Sequence, residues 1–165
     1  MRSLNDVIDP SGIGTAGSGM LDKSQDAVDL FNRGFSCSQA VLSTYGEDFG
    51  LDRGTAMRIA GAFGGGMDQR GETCGAVTGA LMIIGLKHGS LGPEDPESKE
   101  RTYDLSRDFI RSFEEMNGSI MCRDLLGYDL AIPDEKRIIR EKGLTKTLCP
   151  GFVKDAAEIL EELLK

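Results

Sequence analysis

The sequence predicts an all-α protein, a single-domain bundle of six or seven helices with a central glycine-rich helix. Three observations predict it. Apolar residues recur every three or four positions in most windows, the period of one helix face. Residues suited to cap a helix, such as Ser24, Ser36, Asp52 and Thr73, precede these runs, and glycines follow them. No window shows the sustained alternation of a strand. With 165 residues the chain has the size of one domain and can bury a real core.

Residues 1–20 are polar, rich in Gly and Ser, and aperiodic, with Pro10 in their middle. They are expected to form a flexible leader or a short arm, and the helical domain is expected over 21–165. Ser24 can cap a first helix with Ala27, Leu30 and Phe31 on one face, stopped by Gly34. Ser36-Cys37-Ser38 begins a second, with Ala40, Val41 and Tyr45 inward and Gly46 or Gly50 near its end. Asp52 caps a third, whose buried face would carry Ala56, Ile59, Ala60 and Phe63. The fourth helix, about 74–87, is apolar on most sides and is expected to be central, with Thr73 as its N-cap. Gly75 and Gly79 lie four apart on one face of it. Glycine costs roughly 1 kcal/mol against alanine inside a helix, so this pair implies the close approach of another backbone or a bulky group.

Pro96 suits the first turn of a long helix over about 97–116, with Leu105, Phe109, Phe113 and Met116 as its inward stripe and Asn117-Gly118 as its stop. Residues 119–126 read as a short helical turn around Cys122 that Ser119 could cap, ended by Gly127. Residues 134–142 form a short charged helix stopped by Gly143. Cys149-Pro150 is expected to open the terminal helix, with Val153, Ala156, Leu160 and Leu163 inward.

The formal charge of −8 argues against nucleic acid as a partner and against an anionic membrane surface. The longest strongly apolar run, 76–86, is too short to span a bilayer, which takes about 20 residues. The N-terminus lacks the basic-then-apolar pattern of a signal peptide, so the expected location is cytoplasmic, with the thiols in a reducing compartment.

Chemistry centres on the stretch 61–89, where a glycine loop delivers Cys74 to the start of the fourth helix. Gly64, Gly65 and Gly66 open backbone angles closed to other residues. The other cysteines are Cys37, Cys122 and Cys149, and no C-x-x-C or C-x-x-C-H occurs, which removes thioredoxin-type, knuckle-type zinc and covalent haem motifs. On the boundaries above, every cysteine falls at a helix start, whose partial positive charge and free N–H groups favour thiolate. Thiolates serve as nucleophiles, metal ligands and cluster ligands; the competing reading is four small buried hydrophobes.

Other motifs carry less. Residues 66–73 imitate a phosphate-binding loop, but Glu72 stands where Lys is required. His88, the only histidine, sits at a helix end that suits a cation. Asp68, Arg70 and Glu72 flank Cys74 and either tune it or solubilise the loop.

The segments Phe31-Asn32-Arg33-Gly34-Phe35-Ser36-Cys37-Ser38-Gln39-Ala40-Val41, Phe63-Gly64-Gly65-Gly66-Met67 and Gly71-Glu72-Thr73-Cys74-Gly75-Ala76-Val77-Thr78-Gly79-Ala80, followed by Cys122 and Cys149-Pro150-Gly151, carry a resemblance. The chain resembles the C_GCAxxG_C_C family of redox-active proteins over about residues 27–153. It departs from the family label in order, reading Cys74-Gly75-Ala76 where the label has Gly-Cys-Ala. The resemblance implies four characteristic cysteines and a redox role that is itself inferred. A similar domain occurs in split-Soret-type cytochromes, with which an iron–sulfur centre has been associated.

Three functions compete. The first is electron transfer through a metal centre held by Cys37, Cys74, Cys122 and Cys149, best matched by an iron–sulfur cluster of the [2Fe–2S] type, with Gly64, Gly65, Gly66 and Gly75 leaving room for it and offering N–H groups to its sulfurs. The second is a metal-free thiol–disulfide oxidoreductase or redox sensor. The third is structural zinc in a helical module. Each leaves the redox partner protein unnamed, and glycine faces could also serve a homodimer.

Overall fold

The computed structural model describes residues 23–165, so the leader or short arm expected over 1–20 lies outside the described residues. Eight α-helices follow in order: α1 Lys23–Asn32, α2 Cys37–Gly46, α3 Arg53–Ala60, α4 Gly75–His88, α5 Pro96–Asn117, α6 Cys122–Leu126, α7 Pro133–Glu141 and α8 Leu144–Leu163. Short 3-10 turns cover Glu47–Phe49 and Gly61–Phe63. The all-α prediction is therefore met, with eight helices in the described residues instead of six or seven. Part of the difference is that residues 122–126 form a helix of their own, not a single turn.

Helix α4 is central because no side of it is polar enough to face water. Gly75, Ala76, Val77, Gly79, Ala80, Ile83 and Ile84 are all buried, and α2, α5 and α8 pack around it. Phe109 and Phe113 of α5 stack with ring centroids 6.2 Å apart and are fully buried. Two predicted core positions are not core: Ile59 on α3 and Met116 at the end of α5 are about half exposed. On α3 the contact is filled by Ala56 and Ala60, both fully buried, with the partly buried Met57 beside them.

The paired glycines of α4 explain how it reaches α2. A methyl group at Gly79 would lie 3.1 Å from the Ser38 carbonyl oxygen and 3.1 Å from Val41 Cβ. One at Gly75 would meet the Ser38 backbone nitrogen at 3.0 Å and the Phe63 carbonyl oxygen at 3.1 Å. The two helices therefore cross at backbone distance.

Four predicted helix starts move. Ser24 lies inside α1 and does not cap it, and α6 has Met121, not Ser119, at its N-cap, the Met121 N–H donating to Ser119 Oγ (3.0 Å). Helix α4 begins after Cys74, which is its N-cap, and not after Thr73. Thr73 is instead held in an isolated antiparallel bridge with Met121. Helix α8 begins at Leu144, a turn and a half before Cys149-Pro150, with Pro150 inside it. Gly143, at φ 64°, ends α7 and starts α8 in one residue. Proline's missing N–H costs one helical hydrogen bond, and the helix absorbs that loss because Cys149, Val153, Ala156, Ala157 and Leu160 bury its inner face.

The crossing gives a test on a single helix. Gly79→Ala adds a methyl group against backbone and is expected to lose about 1–2 kcal/mol in urea unfolding despite alanine's better helix propensity. Gly85→Ala, on the same helix with nothing within 4 Å, is expected to gain up to about 1 kcal/mol. Equal effects would mean that α2 and α4 do not depend on the glycines for their approach.

Candidate functional site

Four helices bring the cysteines inward, and each does so for a local reason. Ser36 and Gln39 form a capping box at the start of α2: the Gln39 N–H donates to Ser36 Oγ (3.3 Å) and the Ser36 N–H donates to Gln39 Oε1 (3.0 Å). Ser38 Oγ donates to the Ala60 carbonyl (2.9 Å), tying that start to the end of α3. Cys37, the first residue of α2, is thereby held against α4, where a methyl group at Gly75 would lie 3.2 Å from its sulfur. The side chains of Cys74 and Cys37 interact directly, and that interaction favours the thiolate on Cys37 over Cys74.

Cys122 is brought in by the short bridge. The Cys74 N–H donates to the Ile120 carbonyl (2.7 Å), the Cys122 N–H to the Glu72 carbonyl (2.7 Å), and the Arg123 N–H to the Gly71 carbonyl (3.0 Å). Residues 71–74 and 120–123 are thus zipped together, and the bridged residues, Thr73 and Met121, each precede a cysteine. Cys149 reaches the same region from inside α8 and shares a small apolar cluster with Cys122, Leu126 and Ile139. Phe31 and Phe152 pack against both this cluster and the main core that contains Cys37 and Cys74. All four cysteines are buried and free. Cys37 couples directly to Cys74, its charge is also felt at Cys122 and Cys149, and Cys122 and Cys149 share one apolar cluster. Among the described residues no group of three or more His, Cys, Asp or Glu side chains is arranged to hold a single metal ion.

The family model of C_GCAxxG_C_C, described as "Putative redox-active protein (C_GCAxxG_C_C)", matches residues 35–163, which include all four cysteines. The chain belongs to the C_GCAxxG_C_C family. No curated protein and no solved structure matches it.

Electrostatics separates the four thiols of this C_GCAxxG_C_C chain. Cys37 is lowered from an ordinary 9.0 to about 7, first by the hydrogen bond from Cys74 and then, against the cost of burial, by backbone N–H groups of Gly65, Cys37 itself and Gly75. Cys74 is raised well above the ordinary value because its side chain interacts with Cys37, because it is buried, and because Cys37 is negative. Burial pushes Cys122 up to about 12, helped by the charges of Cys37 and Asp129, and pushes Cys149 higher still. The expectation that every cysteine sits at a helix start and ionises there is corrected. Cys149 lies in the interior of α8, α6 has only five residues, and desolvation outweighs the partial charge of a helix end everywhere except at Cys37.

The glycine loop supplies part of that exception. Gly65, Gly66, Met67, Asp68 and Gln69 have φ of 64°, 72°, 61°, 55° and 58°, five successive residues in the left-handed region. Three of them carry side chains, for which that region costs roughly 1–2 kcal/mol each. Loop hydrogen bonds hold it, among them Gln69 N–H to the Gly64 carbonyl (3.1 Å) and Glu72 N–H to the Gly66 carbonyl (3.0 Å). The turn points the Gly65 N–H at Cys37 and lays Gly66 against Cys122, where a methyl group would lie 2.6 Å from Cys122 Cβ. Gly64 differs from its neighbours: its φ is −66°, and it is glycine for space, since a methyl group there would lie 2.7 Å from Ser36 Cβ.

Of the flanking charges, Glu72 pairs with Arg123 at 3.4 Å, while Asp68 and Arg70 are exposed. His88 lies in the last turn of α4, where burial, Arg101 and Lys87 lower its pKa. Sequence reading missed the Ser36–Gln39 capping box, although the Ser-x-x-Gln spacing displays it. It also missed the 73–121 bridge, for which two isolated residues give no periodic signal.

Two predictions follow from these shifts and contacts. In the metal-free reduced protein, the lowered Cys37 makes the folded state bind fewer protons than the unfolded state between pH 7 and 9, so stability rises with pH there. Above pH 9 the three raised thiols reverse the sign, because they ionise only on unfolding. Urea unfolding against pH should show that maximum, and Cys37→Ser should remove the rising limb while keeping the falling one. Gly66→Ala combines a left-handed φ with a clash at Cys122 and is expected to cost more than about 2 kcal/mol in the same assay; a cost below about 1 kcal/mol would mean that the loop moves freely.

Proposed function

We propose that the protein is an electron-transfer protein whose four cysteines together hold an iron–sulfur cluster of the [2Fe–2S] type. The observation that carries this reading is the convergence of four buried, free thiols from four helices on two adjoining parts of the core, with Cys37 felt electrostatically by the other three. The donor set fits that group better than it fits a single ion. Structural zinc takes four ligands around one metal, whereas a two-iron cluster asks for four thiolates shared between two irons. Cys37, Cys74, Cys122 and Cys149 would be its four ligands. Gly65 and Gly75 would stabilise reduced charge through N–H groups already directed at the Cys37 sulfur. Gly64 and Gly66 would serve by letting the loop lie close over Ser36 and Cys122. When bound, the cluster would supply one-electron chemistry, and burial of the cysteines would keep water from it. The electron partner would be another protein, met in the reducing cytoplasm. No helix among the described residues is long and apolar enough to cross a membrane.

A second reading has its own support. The Cys37–Cys74 contact unites a lowered thiol with a raised one, the arrangement of an attacking thiolate beside a proton-bearing partner. A metal-free oxidoreductase would oxidise this pair to one disulfide with loss of two hydrogens.

Purification without oxygen separates the two. The leading reading predicts coloured protein with about two irons and two acid-labile sulfides per chain, and loss of both in Cys37→Ser and Cys122→Ser alike. Colourless, iron-free protein that forms a Cys37–Cys74 disulfide under diamide, seen by mass spectrometry, would replace it with the dithiol reading.

A further inference from the structure

The chain as a whole is acidic, with 27 Asp and Glu against 19 Lys and Arg. One place inverts that balance. Between α7 and the start of α8 lies a cavity of about 410 Å³ whose wall carries Lys136, Arg140, Lys142 and Lys146 and a single carboxylate, Glu141. Among the described residues none of these four cations forms an ion pair with a carboxylate, while Glu141 is within 3.9 Å of Arg137 Nε. Lys142 donates to the Tyr128 hydroxyl (2.9 Å) and lies 5.0 Å from the centroid of the same ring, a neutral partner that carries no counter-charge. Lys136 and Arg140 are spaced i, i+4 on one face of α7, where like charges repel.

The start of α8 faces the same space. Gly143 and Thr145 line the cavity, and no side chain caps the first turn of this 20-residue helix. Its free N–H groups and partial positive charge add to the four cations. The apolar part of the wall includes Ile139, which is buried and also packs with Cys122 and Cys149. The volume is that of a small-molecule site.

We propose that this cavity binds a small molecule through a phosphate group. An arginine fork with three lysines over a helix start matches a multiply charged, tetrahedral anion, and the partly buried Leu130 of the wall would receive an apolar portion of the same ligand. Occupancy would lie one side chain from the Cys122–Cys149 pair. The site stands independently of what the cysteines hold.

Isothermal titration of the reduced full-length chain with inorganic pyrophosphate tests this, with citrate as a carboxylate comparison. One saturable site is expected, tighter for pyrophosphate than for citrate. The double variant Arg140→Ala, Lys146→Ala, whose side chains are exposed and which should melt as the parent does, is expected to weaken binding at least about tenfold. Lys154→Ala, an exposed lysine elsewhere on α8 that pairs with Glu158, should leave it unchanged. The proposal is overturned by no binding up to millimolar pyrophosphate, by citrate binding as tightly, by an unaffected double variant, or by an equal loss in Lys154→Ala.

Discussion

The structure depends on one missing side chain. At Gly75 the first turn of α4 meets the first turn of α2 so closely that even a methyl group would stand 3.0 Å from the Ser38 nitrogen and 3.2 Å from the Cys37 sulfur. That approach lets the Cys74 side chain interact with Cys37 and lets the Gly75 N–H point at the Cys37 sulfur. Everything around it reinforces the contact: Gly79 extends the close crossing by one turn, the capping box fixes the start of α2, and the 73–121 bridge holds the start of α4. The same bridge carries Cys122 to the site, so one local pairing positions two sulfurs.

Hydrogen-bond donors set against burial, more than helix polarity, then separate the sulfurs. A helix end contributes about half a unit of charge, and an apolar surrounding removes the hydration that a thiolate needs. Only Cys37 has enough donors to offset that loss, from the Cys74 thiol and from the N–H groups of Gly65 and Gly75. In a metal-free site Cys37 is therefore the first of the four sulfurs to ionise. Loading a metal would require the other protons to leave, which ties assembly of the site to pH.

Much of this was legible in the sequence because it rests on local rules. The all-α class, the central α4 and the glycine face of Gly75 and Gly79 follow from period and helix propensity. The four cysteines follow from their resemblance to the C_GCAxxG_C_C pattern, to which the family match gives its redox description. What was not legible rests on tertiary competition. Cys149-Pro150 looks like a helix opening, yet the apolar face from Cys149 to Leu160 anchors a helix that Gly143 starts earlier. The left-handed run continues beyond Gly66 into Met67, Asp68 and Gln69, residues that enter that region only because the loop's own hydrogen bonds hold them there. The basic cavity was invisible as well, since Lys136, Arg140 and Lys146 share a wall only after α7 and α8 have packed.

The central claim is spatial: under the proposed function, four sulfurs remote in sequence share one site. Anomalous scattering from sulfur in a crystal of the reduced protein locates those atoms without any assumption about metal or activity. The account predicts Cys37 and Cys74 in contact, with Cys122 and Cys149 beside them in the same region. Sulfur peaks of Cys122 and Cys149 in a part of the molecule separated from that pair by intact core would contradict it.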